Sequence, residues 1–531
     1  MRKILAFLVA LIVILTAIPF TASAANSNLP ESTPLILKEA VESGRITGAK
    51  NIRSIKIAAA IYDALINFKE VVDLRPFNLA YNNSEFRILN NCLNYVLSLP
   101  EMFQVVELFD FDNSGFTVAT LYEVEYFAEF HIAYLPNVID ANQNEYFDKE
   151  KALEKHAEFD SLVESFVSKI PTGLSKLETM LYAYDRMAVD YQYQITGDYW
   201  IYDAYGFFKD GHGVCDGYTK AFLAIMERLG IPSMRVMSDE GNHSWNIVCL
   251  DGEYYHVDTT WSDPKPDKNG QVYHEYFLKS DAALTSVDTE SHIDWYAYES
   301  NMFGLKDISC SSTKYDSGYL WGNTSNAFCY YNGEHYFIED ASEYEYKTLP
   351  SGKEVLVGYS IGAVIRKTRD FINYSDVKSV KSDPWLDKNG SGQFIFDYNS
   401  GFYMVGTQIY YNDYTRLKYF DVATGNDGVL FEVKDSNIAG FSYKGEGKFE
   451  YTEFYTQNGA GIYGKKIHTL TDMGKVNNSD NNSFADDLAS IRKYISGRSD
   501  ANMCLLKGDV SENDGKVDMR DLVALKKLAL Q

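Results

Sequence analysis

Three stretches decide how this chain reads: Gly211-His212-Gly213-Val214-Cys215-Asp216-Gly217-Tyr218, then His243-Ser244-Trp245-Asn246-Ile247-Val248-Cys249-Leu250, then Glu253-Tyr254-Tyr255-His256-Val257-Asp258-Thr259-Thr260-Trp261. The first runs into a helical pattern through Leu229, which Gly230-Ile231-Pro232 stops. Gly213 and Gly217 let backbone pack closely around the thiol of Cys215, which falls at the helix start. Free amides and the positive helix end stabilise a thiolate there. The second and third stretches are extended and are joined by Asp251-Gly252, a two-residue hairpin signal. That turn sets Leu250 opposite Glu253, Trp245 opposite Asp258 and His243 opposite Thr260. Side chains alternate along strands, so His243, Trp245 and Asp258 share one face. His243 and Asp258 are diagonal neighbours, roughly 7–8 Å apart at the backbone and within reach of an imidazole–carboxylate hydrogen bond. Packing the start of the Cys215 helix on that face assembles a nucleophile, a base and an orienting carboxylate.

The roles follow from the chemistry. Cys215 attacks a carbonyl carbon. His243 takes the thiol proton and returns it to the leaving amine. Asp258 fixes the imidazole tautomer and steadies its positive charge. The Cys215 backbone N–H is a candidate oxyanion donor, and a second donor is sought in Asp190-Tyr191-Gln192-Tyr193. His212 and His256 compete for the base role. The Gly-rich turn points His212 elsewhere, and His256 shares a strand with Asp258 and reads as a packing residue. Cys249 lies among apolar strand residues and reads as buried and inert.

These residues carry a resemblance. Gly-Val-Cys-Asp-Gly-Tyr, Gly-Ile-Pro, His-Ser-Trp-Asn and Tyr-His-Val-Asp-Thr-Thr-Trp, in that order over roughly residues 175–265, resemble the transglutaminase-like superfamily, whose core is papain-like. The resemblance implies an α+β fold with Cys215, His243 and Asp258 as the catalytic triad. It implies acyl transfer from amide bonds of a protein or peptide through a thioester. With water as acceptor the enzyme is a cysteine peptidase or amidase; with an amine it is a transglutaminase-like acyltransferase. Hydrolysis is slightly favoured, because water is always present and nothing marks an amine site. Residues 73–126, with Asp73-Leu74 and Leu99-Pro100-Glu101-Met102-Phe103, resemble N-terminal modules that precede such domains in secreted bacterial proteins.

Working outward, 531 residues exceed what one core supports and point to several domains. A hydrophobic share of 46% against 23% charged excludes a wholly disordered chain. The net charge of −25 argues against phosphate-driven nucleic-acid binding, which needs fields of Lys and Arg. Met1-Arg2-Lys3, an apolar run over 4–20 and Ala22-Ser23-Ala24 form a signal peptide over residues 1–24. The mature protein is therefore expected outside the cytoplasm, secreted or at the cell surface, and free of the membrane. The six cysteines form no Cys-x-x-Cys pair, which argues against a zinc site or a disulfide scaffold; pairing of Cys310 with Cys329 is left open.

Residues 25–165 read as an α+β module, with helices over 52–71 and 86–99. Strands are expected at 103–108 and 116–126, joined by Asp112-Asn113-Ser114-Gly115. Residues 166–305 form the catalytic domain. Residues 306–472 form a β-rich module, with extended runs at 334–339, 394–398, 401–411 and 416–422 and propeller-like or sandwich packing; its many aromatics read as core rather than as a sugar or protein surface.

Residues 473–531 begin with a polar linker at 475–483. Two echoing amphipathic segments follow, at 487–494 and 521–528. Oxygen side chains precede the second, and Asp509, Ser511, Asn513, Asp514 and Asp521 are its candidate calcium ligands. The duplication resembles type I dockerins, which implies structural calcium and docking onto a cohesin-bearing scaffold, with Met519 and Arg520 toward the partner. The second loop is one residue longer than the family pattern, and the first, over 477–487, lacks its Asp-rich run and Gly. Two other classes stay open: a non-catalytic cellulosome-associated binding or assembly protein with an idle thiol, and a carbohydrate-acting component, for which no carboxylate pair could be placed.

Overall fold

The computed structural model describes residues 29–528 apart from 122, 266–268, 289, 342, 383–384, 387–393, 396–400, 414, 435, 458–459, 471–483, 498–502 and 512–515. The expected signal segment 1–24 and the linker at 475–483 lie outside the described residues, as does part of the extended run at 394–398. Helix makes up 35% of the chain and strand 30%, a mixed α+β content that agrees with the expected class. The chain forms two interleaved compact units. The first takes residues up to Ile170, Gln194–Asp258 and Leu278–Thr313; the second takes Pro171–Tyr193, Thr259–Phe277 and Lys314–Gln531. Among the described residues no helix is long and apolar enough to cross a membrane.

In the first unit, helices Ala49–Leu65 and Asn83–Leu97 accompany a three-stranded antiparallel sheet in the order Val71–Asp73, Val124–His131, Gly115–Leu121. The Asn82 side chain accepts from the amides of Ser84 and Glu85 and starts the second helix. The helix expected over 52–71 ends at Leu65, and Phe68, at φ 47°, turns the chain toward the strand at Val71. The strand expected at Phe103–Leu108 is a helix. It continues the 3-10 turn Pro100–Met102 and buries Phe103, Val105 and Leu108, and the Phe103 ring stacks on Tyr205 at 4.6 Å. A six-residue apolar run has no period long enough to separate strand from helix, and packing decides. The run at 116–126 is likewise two strands, reversing between Leu121 and Val124.

Helix Tyr298–Phe303 brings Glu299 into this core at 5% exposure. Burial pushes its carboxyl up to about 7. The folded value lies above the ordinary 4.5, so this site favours the fold at low pH and loses that contribution as pH rises from 4.5 through 7. Glu299→Gln is therefore expected to stabilise the protein at pH 8, by at most about 3 kcal/mol, and to change little at pH 4. Thermal unfolding at the two pH values checks this.

The sheet that organises the site has five strands in the order Phe277–Lys279, Glu253–Val257, His243–Leu250, Ser233–Ser238, Tyr296–Ala297. The last two residues of the first strand belong to this unit. Glu253 pairs with Leu250 and Val257 with Asn246, the register expected of a two-residue turn. Asp251 and Gly252 have φ 54° and 83°, as that turn requires. Every residue of His243–Leu250 is buried, so both faces of this strand are covered. Helix Cys215–Arg228 buries Tyr218, Ala221, Phe222, Ile225 and Met226 along one stripe, and Gly230, at φ 71°, ends it.

The second unit holds helix Lys176–Asp190, closed by a Ser175–Glu178 capping box, and the β-rich segment. Within the helix, Asp185 is fully buried and accepts from His274 Nε2 at 2.7 Å and from the Phe328 amide at 2.7 Å. The strands form antiparallel sheets, including Phe402–Val405, Gln408–Asp413, Arg416–Asp421 and Asp427–Glu432 in chain order. Gly406, at φ 56°, splits the expected run at 401–411 into two of these strands. Ile491, Leu505, Leu522 and Leu525 from the C-terminal helices share a core with Tyr410, Tyr419, Phe431 and Phe449. Gln408 fastens that junction, accepting from the Leu505 amide at 2.8 Å and donating to the Met503 carbonyl at 2.5 Å.

Candidate active site

Cys215 is the first residue of its helix and is half-buried. Val214 supplies no side-chain cap to the first amides of the helix. A Cβ on Gly217 would stand 2.6 Å from the Ile201 carbonyl oxygen, so only glycine fits there. The next residues brace the helix against the sheet. The Asp216 carboxylate accepts from Arg235 at 2.5 Å and from the Ser244 hydroxyl at 2.6 Å. Burial would push Asp216 up, but Arg235 outweighs it and holds the carboxyl below its ordinary range. Thr219 donates to the Ser244 carbonyl at 2.9 Å and accepts at its own carbonyl from Asn246 at 3.1 Å. The residues flanking Cys215 and His243 thus lock helix and strand in one register, a task the sequence reading did not assign to Asp216, Thr219, Ser244 or Asn246.

His243 Nε2 lies 2.6 Å from Asp258 Oδ2. A carboxylate oxygen accepts, so Nε2 carries the proton and Nδ1 is left for the Cys215 side chain, with which His243 is also hydrogen-bonded. Asp258 is 1% exposed. Burial lowers the His243 pKa, but the Asp258 charge and hydrogen bond, with a further part from Cys215, prevail and raise it to about 10. Burial in turn raises Asp258, and His243 with His292 overcomes this and holds it well below the usual carboxylate range. Trp245 stacks on the His243 ring at 5.6 Å and fixes its plane. The structure therefore brings Cys215, His243 and Asp258 into one chain of contacts, with the half-buried Cys215 at one end and the buried Asp258 at the other.

The other histidines are placed differently. His212 Nδ1 bonds the Asp210 carbonyl of its own turn at 3.0 Å. His256 Nδ1 accepts from the Trp245 indole at 3.0 Å, so its Nε2 donates to Asp281 at 2.9 Å. Burial lowers its pKa, which agrees with a neutral ring that holds Trp245. His292 is the residue the sequence reading missed. Its Nε2 lies 2.9 Å from the same Asp258 oxygen, and its Nδ1 lies 2.5 Å from Asp288. The only signal was an Asp and a His four apart in a polar loop, which is too common to single out. Among the described residues, two groups bring metal-ligating atoms together, His243–Asp258–His292 and His256–Asp281–Cys310. In both, the imidazole nitrogen facing the carboxylate donates a proton and has no lone pair to offer a metal.

All six cysteines are free, Cys310 and Cys329 included. Burial pushes the Cys249 thiol up to about 12, in keeping with an inert residue. Residues 190–193 belong to the second unit. Of the expected calcium ligands, Asn513 and Asp514 lie outside the described residues. Asp509 and Asp521 are buried at 1% and 2% exposure. Asp521 Oδ1 accepts from the Val510 and Ser511 amides and from the Ser511 hydroxyl, while Oδ2 accepts from the Asp518 amide.

A family model described as the transglutaminase-like superfamily matches residues 160–259. A solved structure of a candidate cysteine protease from Cytophaga hutchinsonii is 12% identical, over 29% of this chain and 65% of its own, with a TM-score of 0.18. A second, described as a TGase, is 16% identical over 27% of this chain and 43% of its own, with a TM-score of 0.18. The chain thus spans less than two thirds of the length of either. No curated protein matches it. Residues 160–259, which carry the helix of Cys215 and the hairpin of His243 and Asp258, are a transglutaminase-like domain.

Proposed function

We propose that the protein is a cysteine enzyme that cleaves or transfers amide acyl groups through a thioester on Cys215. The observation that carries this reading is the seat of His243 between the Cys215 side chain and the buried Asp258 carboxylate. His243 Nδ1 holds the proton taken from the thiol, and the Cys215 thiolate so formed attacks the carbonyl carbon. The Cys215 amide, at a helix start that Val214 does not cap, is the donor we assign to the developing oxyanion. His243 then protonates the leaving amine, and water or a second amine releases the acyl group. The substrate class is a protein or peptide amide. Incubating wild type and Cys215→Ala with a peptide amide panel, with and without an added primary amine, tests this: released ammonia or amine marks formation of the thioester, a new carboxylate on the acyl part marks hydrolysis, and an amine-linked product marks transfer. Activity retained in Cys215→Ala would refute the reading.

Two further proposals concern where the enzyme works. The leader over 1–24 sends it outside the cytoplasm, and the tail docks it onto a cohesin-bearing scaffold. The outer face of helix Met519–Leu528 supports the docking surface, since Met519 and Val523 stand 57% and 45% exposed beside Arg520. Calcium in the 509–521 loop would be held by Asp509, Ser511 and Asp521 with Asn513 and Asp514. The donors fit a hard cation, because two buried carboxylates flank a loop of oxygen side chains. Asp521 Oδ1 accepts from three donors and Oδ2 from one, the Asp518 amide, so Oδ2 is the less occupied oxygen to turn toward an ion. Calcium at a hundredfold excess over Kd should stabilise this unit by about 2.7 kcal/mol. A melting temperature unchanged between calcium and EDTA would remove the metal from the tail.

A further inference from the structure

We propose that His292, anchored by Asp288, is a positioning residue that fixes the Asp258 carboxylate against His243 and sets the pH range over which Cys215 reacts. The proposal rests on the reading of Cys215, His243 and Asp258 given above. His292 is fully buried, yet both of its ring nitrogens face carboxylates, Asp258 at 2.9 Å and Asp288 at 2.5 Å. Carboxylate oxygens only accept, so both nitrogens donate and the ring is a cation. Its Nε2 meets the same Asp258 oxygen that His243 Nε2 meets at 2.6 Å. Asp258 is thereby shared between two imidazoles, and the second one limits how strongly it can stabilise charge on the first.

The arrangement is built rather than incidental. Asp288 accepts from the Glu290 and Ser291 amides at 3.0 Å each, which closes the loop that presents His292. The Ser291 carbonyl oxygen lies where a Cβ on Gly241 would stand 2.1 Å away, so this loop interlocks with the turn that leads into His243. The His292 ring packs edge-on against Trp245 at 4.7 Å and His243 at 5.1 Å. Among the described residues, Asp258, Asp288 and His243 face it, with His256 and its partner Asp281 beyond Trp245.

A unit charge about 5 Å from the His243 ring, at an effective dielectric near 20, moves its titration by on the order of one pH unit or more. Removing a positive charge favours the imidazolium and disfavours the thiolate, so both limbs of the Cys215 reactivity profile rise. The test is the rate of iodoacetamide alkylation of Cys215 against pH in the full chain, for wild type and His292→Gln. Both limbs should move to higher pH by about one unit or more; limbs that stay in place overturn the proposal. A wild-type rate no faster than that of His243→Ala would instead overturn the underlying active-site reading, which separates the two failures. If His292→Gln does not fold, nitrogen NMR of the 15N-histidine-labelled wild-type protein decides, with the His292 signals assigned by their perturbation in Asp288→Asn. Two protonated ring nitrogens at neutral pH support the cation, and one bare nitrogen rejects it.

Discussion

Cys215→Ala is expected to abolish amide turnover, and His243→Ala to lower it by at least about a thousandfold. The magnitude follows from how the groups act as a unit. Without His243 the thiol keeps its proton, and the departing amine has no acid within reach. What survives is substrate binding and the helix-start amide, which serve any nucleophile weakly. Cys215→Ala should be as stable as wild type, since Cys215 is only half-buried, whereas His243→Ala removes one partner of a buried pair and should lose some stability. Turnover of a peptide amide, read beside circular dichroism, separates loss of chemistry from loss of fold.

Asp258→Asn is expected to lower turnover by on the order of ten-thousandfold and to destabilise the protein as well. An amide in place of the carboxylate can donate to His243 Nε2. The ring proton then sits on Nδ1, toward the sulfur, where it blocks acceptance of the thiol proton. The stability loss has a pH signature. His243 has its pKa raised from 6.5 to about 10, so the pair contributes fully below 6.5 and loses that contribution as pH climbs through 10. Asp258 is depressed below 3.8, so the contribution is present above that value and lost as pH falls below it. Removing one partner of a buried pair costs about 3–5 kcal/mol. The gap between wild type and Asp258→Asn should therefore be widest near pH 5–6 and shrink toward pH 10. Denaturant unfolding at both ends of that interval checks it.

The hairpin and the helix start were legible because local chemistry fixes them. Asp251-Gly252 permits one turn geometry, and that geometry dictates which residues share a face with Asp258. Glycine at 217 marked a close approach without naming the neighbour, which is the Ile201 carbonyl. His292 was not legible, because its partner Asp258 lies 34 residues away and no local spacing links the two. The braces from Asp216 and Thr219 to Ser244 were hidden for the same reason: they join separate motifs through contacts that sequence spacing does not encode. The run at Phe103–Leu108 failed differently. Its apolar residues suit strand or helix equally, and the stacking of Phe103 on Tyr205 belongs to tertiary structure. In the tail, the amphipathic pattern located helices but not the surface they cover, which is the sheet of Tyr410 and Tyr419.

The most direct test of the account is the alkylation rate of Cys215 by iodoacetamide at neutral pH, followed by mass spectrometry of the peptide that carries it. A sulfur paired with an imidazolium should react far faster than an ordinary exposed thiol, and His243→Ala should erase the difference. Equal rates in wild type and His243→Ala would show that the pair is chemically idle and would contradict the account.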